Sequence, residues 1–256
     1  MGVFMMRTVA IVNSKGGVGK TTVAVNLAAA LVESRRKVLT IDLDPQANLS
    51  EWLGIKDGGR GLLDVFTTNT PITSIVRHTS FEIDVVPSSR FMVQAERLLH
   101  GEVGAEFILK RSIEQLPTHY DYVLIDCPPA LGILVVNALA AVREVLVPVH
   151  AHFLSLLGLA QLYETIQVVR DRLNPGLELM GIVPCRVDTR TKHSLEVVEM
   201  LRERFGSKVY NTVIHENIRV AECPSFAQPI TTYAPKSRGA EDFRALVAEI
   251  VSSEQR

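Results

Sequence analysis

Within nine residues, 14–22, the chain sets three glycines, two lysines and two threonines in the order Ser-Lys-Gly-Gly-Val-Gly-Lys-Thr-Thr. No other stretch limits the fold as strongly. Glycines at 16, 17 and 19 let successive backbone N–H groups turn inward around an anion. A short β-rich run, residues 8–13, precedes them, and an apolar segment with helical spacing, residues 20–34, follows. Strand, glycine-rich loop and helix in that order make a phosphate cradle, because the loop N–H groups and the positive end of the helix face the same point. Lys20 is placed to carry charge to the β- and γ-phosphates, and Thr21 to offer a hydroxyl to magnesium. Lys15, Gly16, Gly17, Val18, Gly19, Lys20, Thr21 and Thr22 are thus the expected contacts of a nucleotide, ATP with Mg2+.

Two acidic segments complete such a site. Strand-like residues 37–42 run into Ile41-Asp42-Leu43-Asp44-Pro45-Gln46. Alternation puts Asp42 and Asp44 on the same side of an extended chain. The apolar run Tyr122-Val-Leu-Ile-Asp126 ends on an acid suited to meet magnesium through water. Both acids would then reach the carboxyl edge of the sheet, where ligands bind in open α/β folds.

The loop departs from the common pattern G-x-x-x-x-G-K-[ST], with Ser14 at the first glycine and an additional lysine, Lys15. A second cation so close to Lys20 calls for its own anionic target, such as a nucleotide held by a facing subunit. With these residues the segment resembles the deviant Walker A motif of the ParA/MinD family of ATPases. The resemblance implies that Lys15 reaches across a nucleotide-sandwich homodimer. It likewise makes Asp42-Leu-Asp44-Pro-Gln a first switch, with Asp44 orienting the attacking water and Asp42 supporting the metal shell, and Cys127-Pro-Pro-Ala-Leu-Gly132 a second. Catalysis is expected of Lys15, Lys20 and Asp44, and metal binding of Thr21, Asp42 and Asp126.

The tail narrows the resemblance. Asn217-Ile-Arg-Val-Ala-Glu-Cys-Pro-Ser225, Pro229-Ile230 and Tyr233-Ala-Pro-Lys-Ser-Arg-Gly-Ala240 look like the partition ATPases of the ParA/Soj type. That implies nonspecific binding of double-stranded DNA by the ATP dimer, slow hydrolysis, a ParB-like centromere-binding partner, and a nucleoid-associated cytoplasmic protein. The resemblance places the base near Pro184, Arg186 and Pro224. Where partition ATPases carry glutamates after the strand at 144–149, this chain has His152 and Leu157, which bears on the partner surface.

Alternating segments set the architecture. Strands are read at 8–13, 37–42, 81–87, 122–126, 144–149, 177–184 and 209–214, and helices at 20–34, 91–116 (one or two), 154–173, 194–205 and 239–252. Apolar strands separated by helices imply a single doubly wound α/β domain of the P-loop NTPase type, a mostly parallel twisted sheet with helices on both faces. No composition break divides the 256 residues, so one domain spans 1–256 with a core at about 7–251; 54–61 reads as a surface loop.

Net charge is −1, which excludes a whole-molecule basic field as the cause of any binding. Residues 186–238 nonetheless carry nine Lys or Arg against six Asp or Glu. Arg190, Lys192, Arg219, Lys236 and Arg238 are the expected DNA contacts, phosphate-directed and indifferent to sequence; His193 and His215 read as surface residues. Cys127, Cys185 and Cys223 have no pairing pattern, and reduced thiols in a cytoplasmic protein are expected. The apolar start is too short for a signal peptide, and Met6 breaks the myristoylation pattern at Gly2. The final residues, 247–256, are acidic and poor in bulky apolar groups, unlike a MinD-type membrane helix, so no stable membrane association is expected. Positioning of a non-DNA cargo by the same cycle stays open.

Overall fold

The computed structural model describes residues 6–56, 59, 61–99, 101–117 and 119–254. Residues 1–5, with Gly2, and residues 57, 58 and 60 of the expected loop lie outside them, as do the side chains of 153–157, Leu157 included. The strands are β1 Arg7–Ile11, β2 Val38–Asp42, β3 Arg77–His78, β4 Ile83–Val86, β5 Tyr122–Asp126, β6 Glu144–His150, β7 Glu178–Val187 and β8 Ile214–His215. They form one sheet in the order β3-β4-β2-β5-β1-β6-β7-β8, parallel except for the β3–β4 edge pair. The helices are α1 Lys20–Glu33, α2 Asn48–Trp52, α3 Leu62–Thr68, α4 Val93–Leu99, α5 Ile108–Ile113, α6 Ile133–Ala141, α7 Phe153–Arg172, α8 Lys192–Phe205, α9 Ile218–Glu222, α10 Ile230–Tyr233 and α11 Arg238–Ser253.

Every residue of β2 and β5 is buried, which is why these strands read as unbroken apolar runs rather than alternating ones. Alternation decides which core each side chain enters. Val9 and Ile11 face α1, α2 and α11; Ala10 and Val12 face α3 to α7. Helix α1 is buried around most of its circumference, from Val23 through Leu31, and its small alanines let both the sheet and α11 pack closely against it. Helix α11 answers with Phe243, Leu246, Val247 and Ile250, none more than 4% exposed. At the outer edge, β3 offers only the exposed Arg77 and His78, a short charged strand that discourages further pairing.

Two expectations change. The 209–214 strand reduces to a single bridge at Val209, directly after a 3₁₀ turn over Gly206–Lys208, and the two residues of β8. The strand read to 184 continues to Val187, with a bulge between Cys185 and Val187. Residues 91–116, read as one or two helices, hold two, α4 and α5, separated at Gly101 and Gly104, both at positive φ.

Gly61, just before α3, sits at φ +54°, and a β-carbon there would meet Pro87 O at 2.4 Å. Gly61→Ala is therefore expected to destabilise the fold by about 3 kcal/mol through combined clash and backbone strain. Urea unfolding should show a lower midpoint at unchanged slope; an unmoved midpoint would mean that the Pro87 strand end yields freely.

Candidate active site

Parallel pairing brings the chemistry to one line. β5 lies between β1 and β2, with Ile11 opposite Asp126 and Asp42 opposite Asp126. The loop after β1 and the acids ending β2 and β5 therefore share the carboxyl edge of the sheet. Asn13 fixes the start of the loop: its Nδ2 donates to Pro148 O at 2.7 Å, and its Oδ1 accepts from the Lys15 N–H at 3.0 Å. Gly17 and Gly19 take φ of +73° and +98°, and Gly19 immediately precedes α1. The Lys20 ammonium donates to Lys15 O at 3.1 Å, bracing the loop from within. Burial lowers the pKa of Lys20, against the pull of Asp126, Cys127 and Asp44.

Asp126 is 1% exposed, and neither of its carboxylate oxygens has a hydrogen bond of good geometry among the described residues, although the nearby Thr21 hydroxyl eases the anion slightly. Burial first, and the neighbouring Asp42 second, push its pKa well above the usual carboxylate range. An unsatisfied buried carboxylate facing a lysine and a threonine hydroxyl is strongly unfavourable alone and favourable beneath a divalent cation. The residues present therefore fit magnesium, held by Thr21 and Asp126.

Asp42 behaves differently. Its Oδ2 accepts from both the N–H and the hydroxyl of Ser50, at 2.8 and 2.7 Å, and its Oδ1 from the Asp44 N–H at 3.2 Å. Burial raises its pKa to about 7. These bonds anchor the segment that carries Asp44, with Asp42 beside Asp126. β2 ends at Asp42, which stays fully buried beside Asp126, and the chain turns at Pro45–Gln46 just after Asp44. Asp44, half-buried, accepts from the Gln46 N–H at 2.9 Å and faces the cleft.

That cleft, about 600 Å³, is lined by the glycine loop, Lys20 to Val23, Asp44, Trp52, Pro129, Cys185, Arg186, residues 214–217, Val220, Ala221 and Pro224. Of the expected base contacts, Arg186 and Pro224 line it. Pro184 does not: it is buried within β7, and Cys185 takes the wall instead. Arg186 at φ +53° is the bulge residue, and a bulge re-aims its side chain. Trp52 donates from Nε1 to Gln228 O at 2.8 Å, tying the helix after the Asp44 turn to the segment around Pro224. Asn13, Ser50 and Trp52 were not singled out by sequence. Asn13 had one local signal, an Asx residue at the junction of the strand and the glycine loop.

Beside the cleft runs a second groove of about 530 Å³, lined among others by Asp188, Arg190, His215, Glu216, Asn217, Arg219 and Arg238. Three of the five expected DNA-binding cations meet there; Lys192 and Lys236 are exposed but stand outside it. Arg190 chelates Asp188 with two bonds, and Arg219 pairs with Glu222. His215 is no simple surface residue. Its N–H and ring Nδ1 both reach the Asp242 carboxylate, and Arg238 meets its Nε2 at 3.1 Å. His193 is exposed, with its ring 5.4 Å from that of His152.

A phosphate cradle braced by a buried lysine, an orphaned acid for magnesium and a base cleft define a Mg2+-dependent P-loop ATPase. A family model described as an AAA domain (AAA_31) matches residues 6–179. The sporulation initiation inhibitor protein Soj of Bacillus subtilis is 40% identical over 97% of this chain and 100% of its own. Cobyrinic acid a,c-diamide synthase of Mycobacterium smegmatis, solved with an ATP analogue and magnesium, superposes with a TM-score of 0.84 at 32% identity, covering 95% of this chain and 93% of its own. The Pyrococcus furiosus cell division ATPase MinD gives 0.80 at 29%, covering 96% and 98%. The chain belongs to the ParA/Soj family of partition ATPases.

Proposed function

We propose that this chain is a DNA-segregation ATPase whose MgATP-bound form is a face-to-face homodimer that binds duplex DNA without regard to sequence and releases it on slow hydrolysis. In this reading Lys15 of each protomer reaches the nucleotide of the other, Lys20 and Thr21 hold the phosphates and magnesium, and Asp44 positions the water. Phosphoryl transfer of this kind is mostly positioning and charge stabilisation. A ParB-like centromere-binding protein is the proposed stimulator, and the nucleoid the proposed location.

One observation carries the link between ATP and DNA. His215, Glu216, Asn217 and Ala221 line both the nucleotide cleft and the arginine groove. A nucleotide that shifts this shared wall also shifts the arginines behind it. The acidic partners of Arg190 and Arg219 do not oppose this reading, since exposed ion pairs are weak and exchange readily for phosphate. The apolar face of α11 is packed against α1 and so is not offered to a lipid surface; no helix among the described residues is long and apolar enough to cross a bilayer.

The test is a gel shift of Asp44→Ala on unrelated duplexes with ATP, ADP or no nucleotide. Binding is expected with ATP alone and should weaken with salt at a log–log slope of about −5, for about three phosphate contacts from each protomer. Arg219→Glu should abolish the shift while the protein still dimerises with ATP. Equal binding in all nucleotide states would separate DNA from the ATP cycle, and normal binding by Arg219→Glu would move the DNA face elsewhere.

A further inference from the structure

In the second turn of α7, Gly158 lies against the part of the loop that carries Lys15. A β-carbon at 158 would stand 3.6 and 3.7 Å from Cγ and Cε of Lys15, and 3.1 Å from Ser14 Oγ. The Ser14 hydroxyl donates to Gly158 O at 3.5 Å, a long bond. Gly158 is not among the glycines with positive φ, so its backbone does not demand glycine. Glycine is unfavourable inside a helix. The reason for it here is spatial: a β-carbon would crowd the Ser14 hydroxyl and already touch the stem of Lys15, so any longer side chain would enter the space beside that stem.

We propose that Gly158 is a positioning residue for Lys15. A lysine stem has many rotamers, and holding it in one direction opposes considerable conformational entropy. The bare face of α7 at Gly158 gives the stem a flat bed, and Ser14 ties the loop to the same point. Lys15 is thereby directed before a second protomer arrives, so less freedom is lost when the dimer closes. The inference rests on the proposed role of Lys15 across the dimer.

The experiment compares wild type, Lys15→Ala, Gly158→Leu and the double variant. Dimer dissociation constants are measured by sedimentation with magnesium and a non-hydrolysable ATP analogue, and ADP affinity by calorimetry. Leucine is a good helix former, so it changes size without penalising the helix. Gly158→Leu is expected to weaken the dimer about tenfold, and in the Lys15→Ala background to change it less than about twofold, because the effect passes through Lys15. ADP affinity, which needs only Lys20 and the loop N–H groups, should stay within about twofold of wild type. Should Gly158→Leu fail to fold, Gly158→Met, whose flexible side chain also extends past the β-carbon toward Lys15, is expected to act in the same direction by about threefold. A wild-type dimer in the Gly158 variants, or equal weakening with and without Lys15, overturns the positioning role. If instead Lys15→Ala dimerises and hydrolyses ATP like the wild type, the role of Lys15 falls, and that of Gly158 with it.

Discussion

Lys20→Ala is expected to abolish nucleotide binding, the largest single effect a substitution in this chain should produce. The Lys20 ammonium is held at the base of the cradle by Lys15 O, and its side chain is only 7% exposed. A charge in so dry a place interacts with phosphate far more strongly than it would in water. Losing two charge-assisted hydrogen bonds at about 1.5–3 kcal/mol each should weaken MgADP at least about a hundredfold. Calorimetry with ADP and magnesium reads this directly, and circular dichroism checks that the fold survives. Some destabilisation is expected as well, since Lys20 is the cation that eases the buried Asp126. An affinity within about fivefold of wild type would mean that the loop N–H groups and α1 suffice to bind the phosphates.

Asp44→Ala should separate binding from turnover. Among the described residues the Asp44 side chain accepts a hydrogen bond from the Gln46 N–H and takes no part in the Asp42–Ser50 anchor, so its removal leaves that anchor intact. ATP should bind with nearly unchanged affinity, while kcat falls by about a hundredfold, the usual contribution of a group that orients or activates water. The ATP dimer should then persist, visible as a long-lived larger species in size-exclusion chromatography. Phosphate release at the wild-type rate would remove Asp44 from the chemistry and leave it as a turn residue.

What could be read from sequence followed from distance along the chain. The cradle is local: glycines, lysine and threonine act within nine residues, and the flanking strand and helix are set by short-range pattern. The acids at 42 and 126 were legible because each ends an apolar run, and the parallel sheet makes run ends coincide. Contacts between distant segments were not legible. The Asn13 bond to Pro148 O, the Trp52 bond to Gln228 O and the packing of Gly158 on Lys15 depend on which strands become neighbours. The same holds for Pro184. Cys185, on the β7 face that carries Val183, lines the cleft instead, and the bulge that sets Arg186 there could not be foreseen from periodicity. Among the cations, sequence gave charge without position. The fold gathers Arg190, Arg219 and Arg238 and leaves Lys192 and Lys236 apart.

The chain contains one tryptophan, and the fold sets it in the wall of the nucleotide cleft, bonded to the segment that closes the other side. The protein thus carries its own optical gauge. All tryptophan emission comes from a single indole whose surroundings change when a nucleotide enters or the wall moves. Stopped-flow fluorescence on the unlabelled protein can therefore time nucleotide arrival, dimer closure and product departure separately.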